Sequence, residues 1–190
     1  MADAAPLNVL VICGSLRRGS FNRMLTRALP ALAPPDIKLS DAPSIGNLPL
    51  YNADIQTLSG DPPEVKALVD LVRAADGLLI VSPEYNWSIP GVMKNAIDWV
   101  SRVKDQPFVN KPVALQSAAP GLLGGSRMQY HMRQSLTSVE ALILIRPEVF
   151  VNLAPRKFDE KTGELTDQPT RDIVKQQLAE FAKFIRRIKR

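Results

Sequence analysis

An α/β architecture, one parallel sheet of five strands covered by helices on both faces, emerges from the pattern of apolar residues. Short uninterrupted runs rich in valine, leucine and isoleucine alternate with longer stretches in which apolar residues recur every three or four positions. Runs without polar interruption belong to strands buried on both faces, as in a parallel sheet. Five such runs alternate with five helical stretches, and right-handed crossovers then place helices on both sides. With 190 residues, 45% apolar and 23% charged, the chain has the size and composition of one domain with its own core, and residues 1–190 are read as such. No internal repeat, low-complexity segment or long linker divides it.

The first run is residues 8–13 (NVLVIC), bounded by Gly14. Phe21, Leu25, Ala28, Leu29 and Leu32 follow at helical spacing, with Ser20 placed to cap the start and Pro34-Pro35 to stop the helix. Residues 37–41 form a short second strand. Asp61-Pro62-Pro63-Glu64 sets a capping oxygen, a first-turn proline and an acid three residues after the cap, ahead of Val65, Leu68, Val69 and Val72, so a helix starts there. Residues 77–82 (GLLIVS) are the third strand, followed by a loop and a helix with Val92, Ala96, Trp99 and Val103 on one face. Residues 112–116 (PVALQ) make the fourth strand, and Met128, Met132, Leu136 and Val139 mark the fourth helix. Residues 142–145 are the fifth strand, with an extension to Val151 left open. The charged stretch 156–166 is an exposed excursion, either an ordered hairpin or a mobile loop. Val174, Leu178, Phe181, Ile185 and Ile188 close the chain with an amphipathic helix.

Composition narrows the function. Much of the net charge of +5 sits in Lys183, Arg186, Arg187, Lys189 and Arg190, where cations oppose the negative end of the last helix. No basic motif with interleaved stacking aromatics points to nucleic acid. No run approaches the roughly 18 apolar residues of a membrane span, and residues 1–8 lack the pattern of a secretory signal. The expectation is a soluble cytoplasmic protein with no membrane partner. Cys13, the single cysteine, can neither bridge internally nor build a thiolate cluster, which fits a reducing compartment. One histidine, His131, makes no metal site.

In an open parallel sheet, ligands bind beyond the carboxyl ends of the strands where the strand order reverses, which directs attention to loops 14–22, 82–91 and 117–126. The first, Gly14-Ser15-Leu16-Arg17-Arg18-Gly19-Ser20-Phe21-Asn22, joins hydroxyls, an amide and two arginines to a helix N-terminus, a combination suited to a phosphate. It lacks the Gly-Lys-Ser/Thr ending of a Walker loop, and Leu16 breaks a Gly-x-Gly-x-x-Gly pattern. The plainer alternative is a polar loop that only caps a helix. Cys13 does not make this a tyrosine phosphatase: the sixth residue after it is Gly19, so no arginine shares a phosphate with the thiolate. In the second loop, Pro83 and Pro90 flank Glu84, Tyr85 and Asn86, a rigid turn able to meet the edge of a flat heterocycle; Tyr85 and Trp87 lie near its face or pack in a lid or subunit contact. The third loop holds Gly121, Gly124 and Gly125, which let backbone approach a ligand plane, unless it is an ordinary turn.

Taken together, Gly14-Ser-Leu-Arg-x-x-Ser-x-Asn22, Pro83-Glu-Tyr-Asn-x-Ser-x-Pro-Gly91 with the following Lys94-Asn95-Ala96-Ile97-Asp98-Trp99, and Gly121-x-x-Gly-Gly125 resemble, in order and spacing, the NADPH-dependent FMN reductase family of flavodoxin-like quinone, azo-dye and chromate reductases. The similarity covers roughly residues 8–150. It implies a flavodoxin-like three-layer sandwich with strand order 2-1-3-4-5, a non-covalent FMN, and NADPH or NADH as hydride donor. The phosphate would lie on the first loop through Ser15, Arg17, Ser20 and Asn22, beside Phe21; Pro83, Glu84, Tyr85 and Asn86, with Ser117, Gly121 and Gly124, would hold the isoalloxazine and ribityl chain. The flavin would carry the chemistry in a ping-pong cycle, with quinones, chromate, azo compounds or free flavin as acceptors and no side chain as nucleophile or obligatory base. Arg127, Tyr130, His131 and Glu148 look nearest the bacterial chromate and quinone reductase branch and mark an interface of a homodimer or homotetramer. Ala118 and Ala119 depart from residues that are often polar in the family. Two other classes stay open: a flavodoxin-type electron carrier, against which the basic charge argues, and a non-catalytic flavin-binding redox sensor.

Overall fold

The apolar runs of the chain become strands in the computed structural model, which describes residues 5–189. β1 (Leu7–Cys13) pairs in parallel with β2 (Ile37–Asp41) on one side and with β3 (Gly77–Val81) on the other, and β3 pairs with β4 (Pro112–Ala118). The order β2-β1-β3-β4-β5 is the 2-1-3-4-5 arrangement of flavodoxin-like sheets. The fifth run differs from its expectation. It forms two short strands, β5 (Leu142–Ile143) and β6 (Val149–Val151), which pair in parallel with successive parts of β4. The chain between them contains the cis Arg146–Pro147 peptide, and Pro147 has no N–H to continue a ladder.

The helices are α1 (Phe21–Ala28), α2 (Ala53–Ser59), α3 (Pro63–Ala74), α4 (Gly91–Val100), α5 (Ser126–Thr137) and α6 (Gln168–Ile188). Alternation along β1 decides which side each residue serves. Leu10 and Ile12 join Leu78, Ile80, Val113 and Leu115 under α3, α4 and α5, while Val9 and Val11 join Leu79, Val81 and Ala114 under α1 and α6. Trp99, fully buried in the first of these layers, donates its indole N–H to the Pro49 carbonyl at 2.7 Å and so ties α4 to the segment after β2. Ser20 caps α1 as expected, its hydroxyl accepting from Arg23 N.

The cap of α3 is not the one expected. Pro62 occupies the N-cap position and Pro63 the first turn, while the Asp61 carboxylate, one residue too early, accepts from Gln56 Nε2 at 2.8 Å. The excursion 156–166 is an ordered hairpin: Phe158 and Leu165 are bridged and buried, and Thr166 N donates to the Lys157 carbonyl. Among the described residues no helix is long and apolar enough to cross a membrane.

Candidate functional site

β1, β3 and β4 end side by side, and the order of connection reverses between β1 and β3. The first two loops leave the sheet almost in contact: a Cβ on Gly14 would sit 2.3 Å from Ser82 Oγ, so only glycine fits there. Beyond Gly14 the backbone N–H groups of residues 15–19 donate to nothing among the described residues. They lead into the α1 N-terminus, whose dipole adds positive potential. Ser15 is buried, and its hydroxyl has no hydrogen-bond partner among the described residues. Arg23 Nη2 donates to the Ser15 carbonyl at 3.3 Å and fixes the loop from below. Arg17, Arg18, Arg23 and Arg27 have no carboxylate partner among the described residues, so the loop carries net positive charge.

Two of the predicted residues in this loop are committed to other work. The Asn22 amide is 3% exposed. Its Nδ2 donates to the Ala118 carbonyl at 2.8 Å and its Oδ1 accepts from Ala118 N at 2.9 Å, an arrangement that locks the first loop to the end of β4. Phe21 packs its ring against Phe158, with centroids 5.8 Å apart.

The second loop is a tight hairpin. Tyr85 N donates to the Ser88 carbonyl and Ser88 N to the Tyr85 carbonyl, with Asn86 at φ 49° and Trp87 at φ 64° between them, the signature of a type I′ turn. Asn tolerates this conformation better than Trp does, so the turn needs support. α5 supplies it: Arg127 stacks 4.3 Å from the Trp87 ring centroid and His131 Nδ1 lies 2.9 Å from Ser88 Oγ. Glu84 accepts from Met128 N at 3.2 Å, at the α5 N-terminus, and stands 3.7 Å from Arg127. The N–H groups of Glu84 and Asn86 have no partner among the described residues and Tyr85 is 51% exposed, so the turn presents polar backbone and an aromatic ring outward.

In the third loop Gly124 and Gly125 take φ of 58° and 86°, and a Cβ on Gly125 would lie 2.8 Å from Ser117 Cβ. Gly121 is open: a Cβ there would meet nothing within 4 Å. The Ser117 hydroxyl is buried, donating to the Gly124 carbonyl at 2.6 Å and accepting from Gln129 Nε2 at 2.8 Å. Gln129 also donates to the Val149 carbonyl, so it holds the glycine loop, β4 and β6 together. Sequence reasoning missed Gln129 and Arg23. Both are polar residues of amphipathic helices, and only long-range geometry reveals their partners. Of the interface residues, Tyr130 is exposed beside Phe150, whereas Glu148 is engaged within the chain, 3.6 Å from Arg133 and 3.1 Å from Arg146.

The donor set fits a flavin mononucleotide. A run of free N–H groups, an unpartnered buried serine and unpaired arginines suit a phosphate dianion, while the outward-facing turn and the open glycine loop lie on the adjacent strands, where a flat ring system would extend. The comparisons agree. The family described as NADPH-dependent FMN reductase matches residues 7–156. The quinone reductase of Escherichia coli K12 is 48% identical over 183 residues, covering 96% of this chain and 97% of its own. The NAD(P)H-dependent FMN reductase of Pseudomonas aeruginosa is 43% identical with the same coverage. Among solved structures, FerB, a flavoenzyme NAD(P)H:(acceptor) oxidoreductase from Paracoccus denitrificans, superposes with a TM-score of 0.85 at 31% identity, covering 95% of this chain and 98% of that one. Sheet order, loop geometry and similarity over nearly the whole length converge, and the chain belongs to the NADPH-dependent FMN reductase family.

Proposed function

We propose that this chain is an FMN-dependent NAD(P)H oxidoreductase of the cytoplasm whose acceptors are quinones and other small oxidants, including chromate, azo compounds and free flavin. When bound, FMN would supply the redox chemistry, hydride transfer from the nicotinamide and electron transfer to the acceptor. The chain's own groups bind and orient. The N–H groups of residues 15–19, with the hydroxyls of Ser15 and Ser20 and the Arg17 guanidinium, would hold the phosphate. The turn at residues 83–86, through the N–H groups of Glu84 and Asn86, and the loop at residues 121–125 would hold the ring system. Asn22 and Ser117 are positioning residues, since their side chains are spent on Ala118 and Gly124. Nicotinamide and acceptor use the same open face in turn, a ping-pong cycle, and the positive first loop favours the additional phosphate of NADPH.

The observation that carries this reading is the unbroken series of N–H groups at residues 15–19, without partners among the described residues, beside the outward-facing turn. A second copy of the chain covers the exposed Trp87, Leu122 and Tyr130 in a homodimer or homotetramer, a state that sedimentation measures directly. The test of function is spectral. Purified protein loaded with FMN should bleach in the flavin bands on anaerobic NADPH addition and recover when a quinone is added. Failure to retain FMN overturns the reading, and retention without turnover points to a carrier or sensor.

A further inference from the structure

Arg23 breaks the rules that govern the start of a helix. With Ser20 as N-cap it is the third residue of α1, the position at which a glutamate or glutamine completes a capping box. The first turn holds no acid at all, so a guanidinium stands where the helix dipole is already positive. Arg27 repeats the charge four residues on, a spacing at which like charges repel along a helix. Among the described residues neither arginine pairs with a carboxylate. Each of these terms destabilises α1 in the protein alone, and a local rule broken without compensation marks a functional position.

What the guanidinium makes is one contact with the first loop. Its Nη2 donates to the Ser15 carbonyl at 3.3 Å. The Ser15–Leu16 peptide is trans, so its N–H points away from that carbonyl, and the Leu16 N–H has no partner among the described residues. A cation on the carbonyl side fixes the plane of this peptide and polarises it, which strengthens the donor on the other side. The hydroxyl of Ser15, a residue only 1% exposed, is likewise without a partner among the described residues.

A dianion on the free donors of residues 15–19 offsets these penalties, because it supplies the negative charge that the first turn of α1 lacks. We propose that Arg23 is a positioning residue for a phosphate monoester: it holds the Ser15–Leu16 peptide with its donor turned to the ligand and gives the site its preference for FMN over riboflavin. The assignment rests on the proposed function and deepens it, since it makes the stability of α1 depend on the phosphate of the ligand. Stability of the empty protein is exchanged for selectivity toward the phosphorylated flavin.

The experiment compares the parent with Arg23→Glu and Arg23→Lys. Flavin-free protein is titrated with FMN and with riboflavin by fluorescence, and its melting temperature is measured with and without inorganic phosphate. Arg23→Glu should weaken FMN by about tenfold or more and leave riboflavin within about twofold of the parent. Arg23→Lys, which keeps the charge and loses the planar fork, should fall between the two for FMN. Without ligand, Arg23→Glu should melt at or above the parent, because the acid completes the capping box, suits the dipole and faces Arg27 at a favourable spacing. Inorganic phosphate should raise the melting temperature of the parent and not that of Arg23→Glu. A merely structural arginine behaves otherwise: FMN and riboflavin weakened by the same factor, or a flavin-free Arg23→Glu that melts below the parent, overturns the assignment, as does unchanged FMN affinity in both variants. A parent that binds neither flavin is a different failure. It overturns the proposed function, and the effect of inorganic phosphate on melting then decides the role of Arg23.

Discussion

Asn22→Ala probes the lock between the first loop and β4. The substitution removes both hydrogen bonds to Ala118, one from Nδ2 to its carbonyl at 2.8 Å and one from its N–H to Oδ1 at 2.9 Å, at a position buried on both sides. Each buried backbone group left without a partner costs about 1–3 kcal/mol, so the pair is worth about 2–6 kcal/mol, in the upper range for single substitutions. A loss of about 3 kcal/mol lowers the melting temperature of a chain this long by about 6–12 °C. Thermal unfolding followed by circular dichroism measures it. Asn22→Asp sharpens the test, because it keeps the acceptor for Ala118 N–H but sets a carboxylate oxygen against the Ala118 carbonyl. Only the protonated acid can donate there, so its pKa in the folded state lies above the unfolded value. The stabilising bond is then present below about pH 4 and is lost as pH rises through the folded value. The Asp variant should therefore approach the parent at pH 4 and fall behind at pH 8. An Ala variant melting within about 2 °C of the parent, or an Asp variant with no such pH trend, would refute the two-way lock.

Glu84→Ala should loosen the second loop by removing the acceptor of Met128 N–H, a change worth about 0.5–2 kcal/mol, and should weaken FMN binding. Glu84→Gln, which keeps that acceptor and loses only the half-exposed Arg127 pair, should bind FMN within about threefold of the parent, since such pairs are worth under about 1 kcal/mol; fluorescence titration separates the two. Gly125→Ala drives a Cβ into Ser117 at a φ of 86° and should cost about 1–3 kcal/mol, read as a lower urea midpoint. Asp76 carries the pH dependence of the far end of the sheet. Burial raises its pKa, but the hydrogen bonds from Lys189 and Asn8 N outweigh burial and leave the value lowered. Its stabilising contribution is present above about pH 4 and fades as pH falls through the folded value, so the melting gap between parent and Asp76→Asn should shrink below pH 4, and a constant gap from pH 7 to pH 3 would contradict this. Arg18→Ala should raise the KM for NADPH more than that for NADH, and equal effects on both would remove the role given to that arginine.

Strands that are uniformly apolar were legible because burial on both faces leaves no other pattern: β2 spans residues 37–41 as read, and β1, β3 and β4 fall within one or two residues of their runs. The helix α2 was not, because it buries none of its residues and so has no apolar period to display. The division of the last strand turns on one residue, Pro147, whose effect depends on pairing with β4 that no local pattern records. In the site, residue types were legible but their obligations were not. Asn22 and Ser117 have the chemistry of ligand donors, yet partners 96 and 7 residues away take up their polar atoms. The free donors are main-chain groups, which have no letter in a sequence.

That last point bears on how this protein can change. Because the anion cradle at residues 15–19 is drawn by the path of the backbone, exchanging a side chain there leaves its donors in place, provided Gly14 keeps its close approach to Ser82. Side chains facing outward from the same loops, Leu16, Arg18, Tyr85 and Leu122, can change without removing those donors. Random mutagenesis should therefore yield altered acceptor or donor preference far more often than loss of the cofactor, and new specificities are reachable without passing through an empty enzyme.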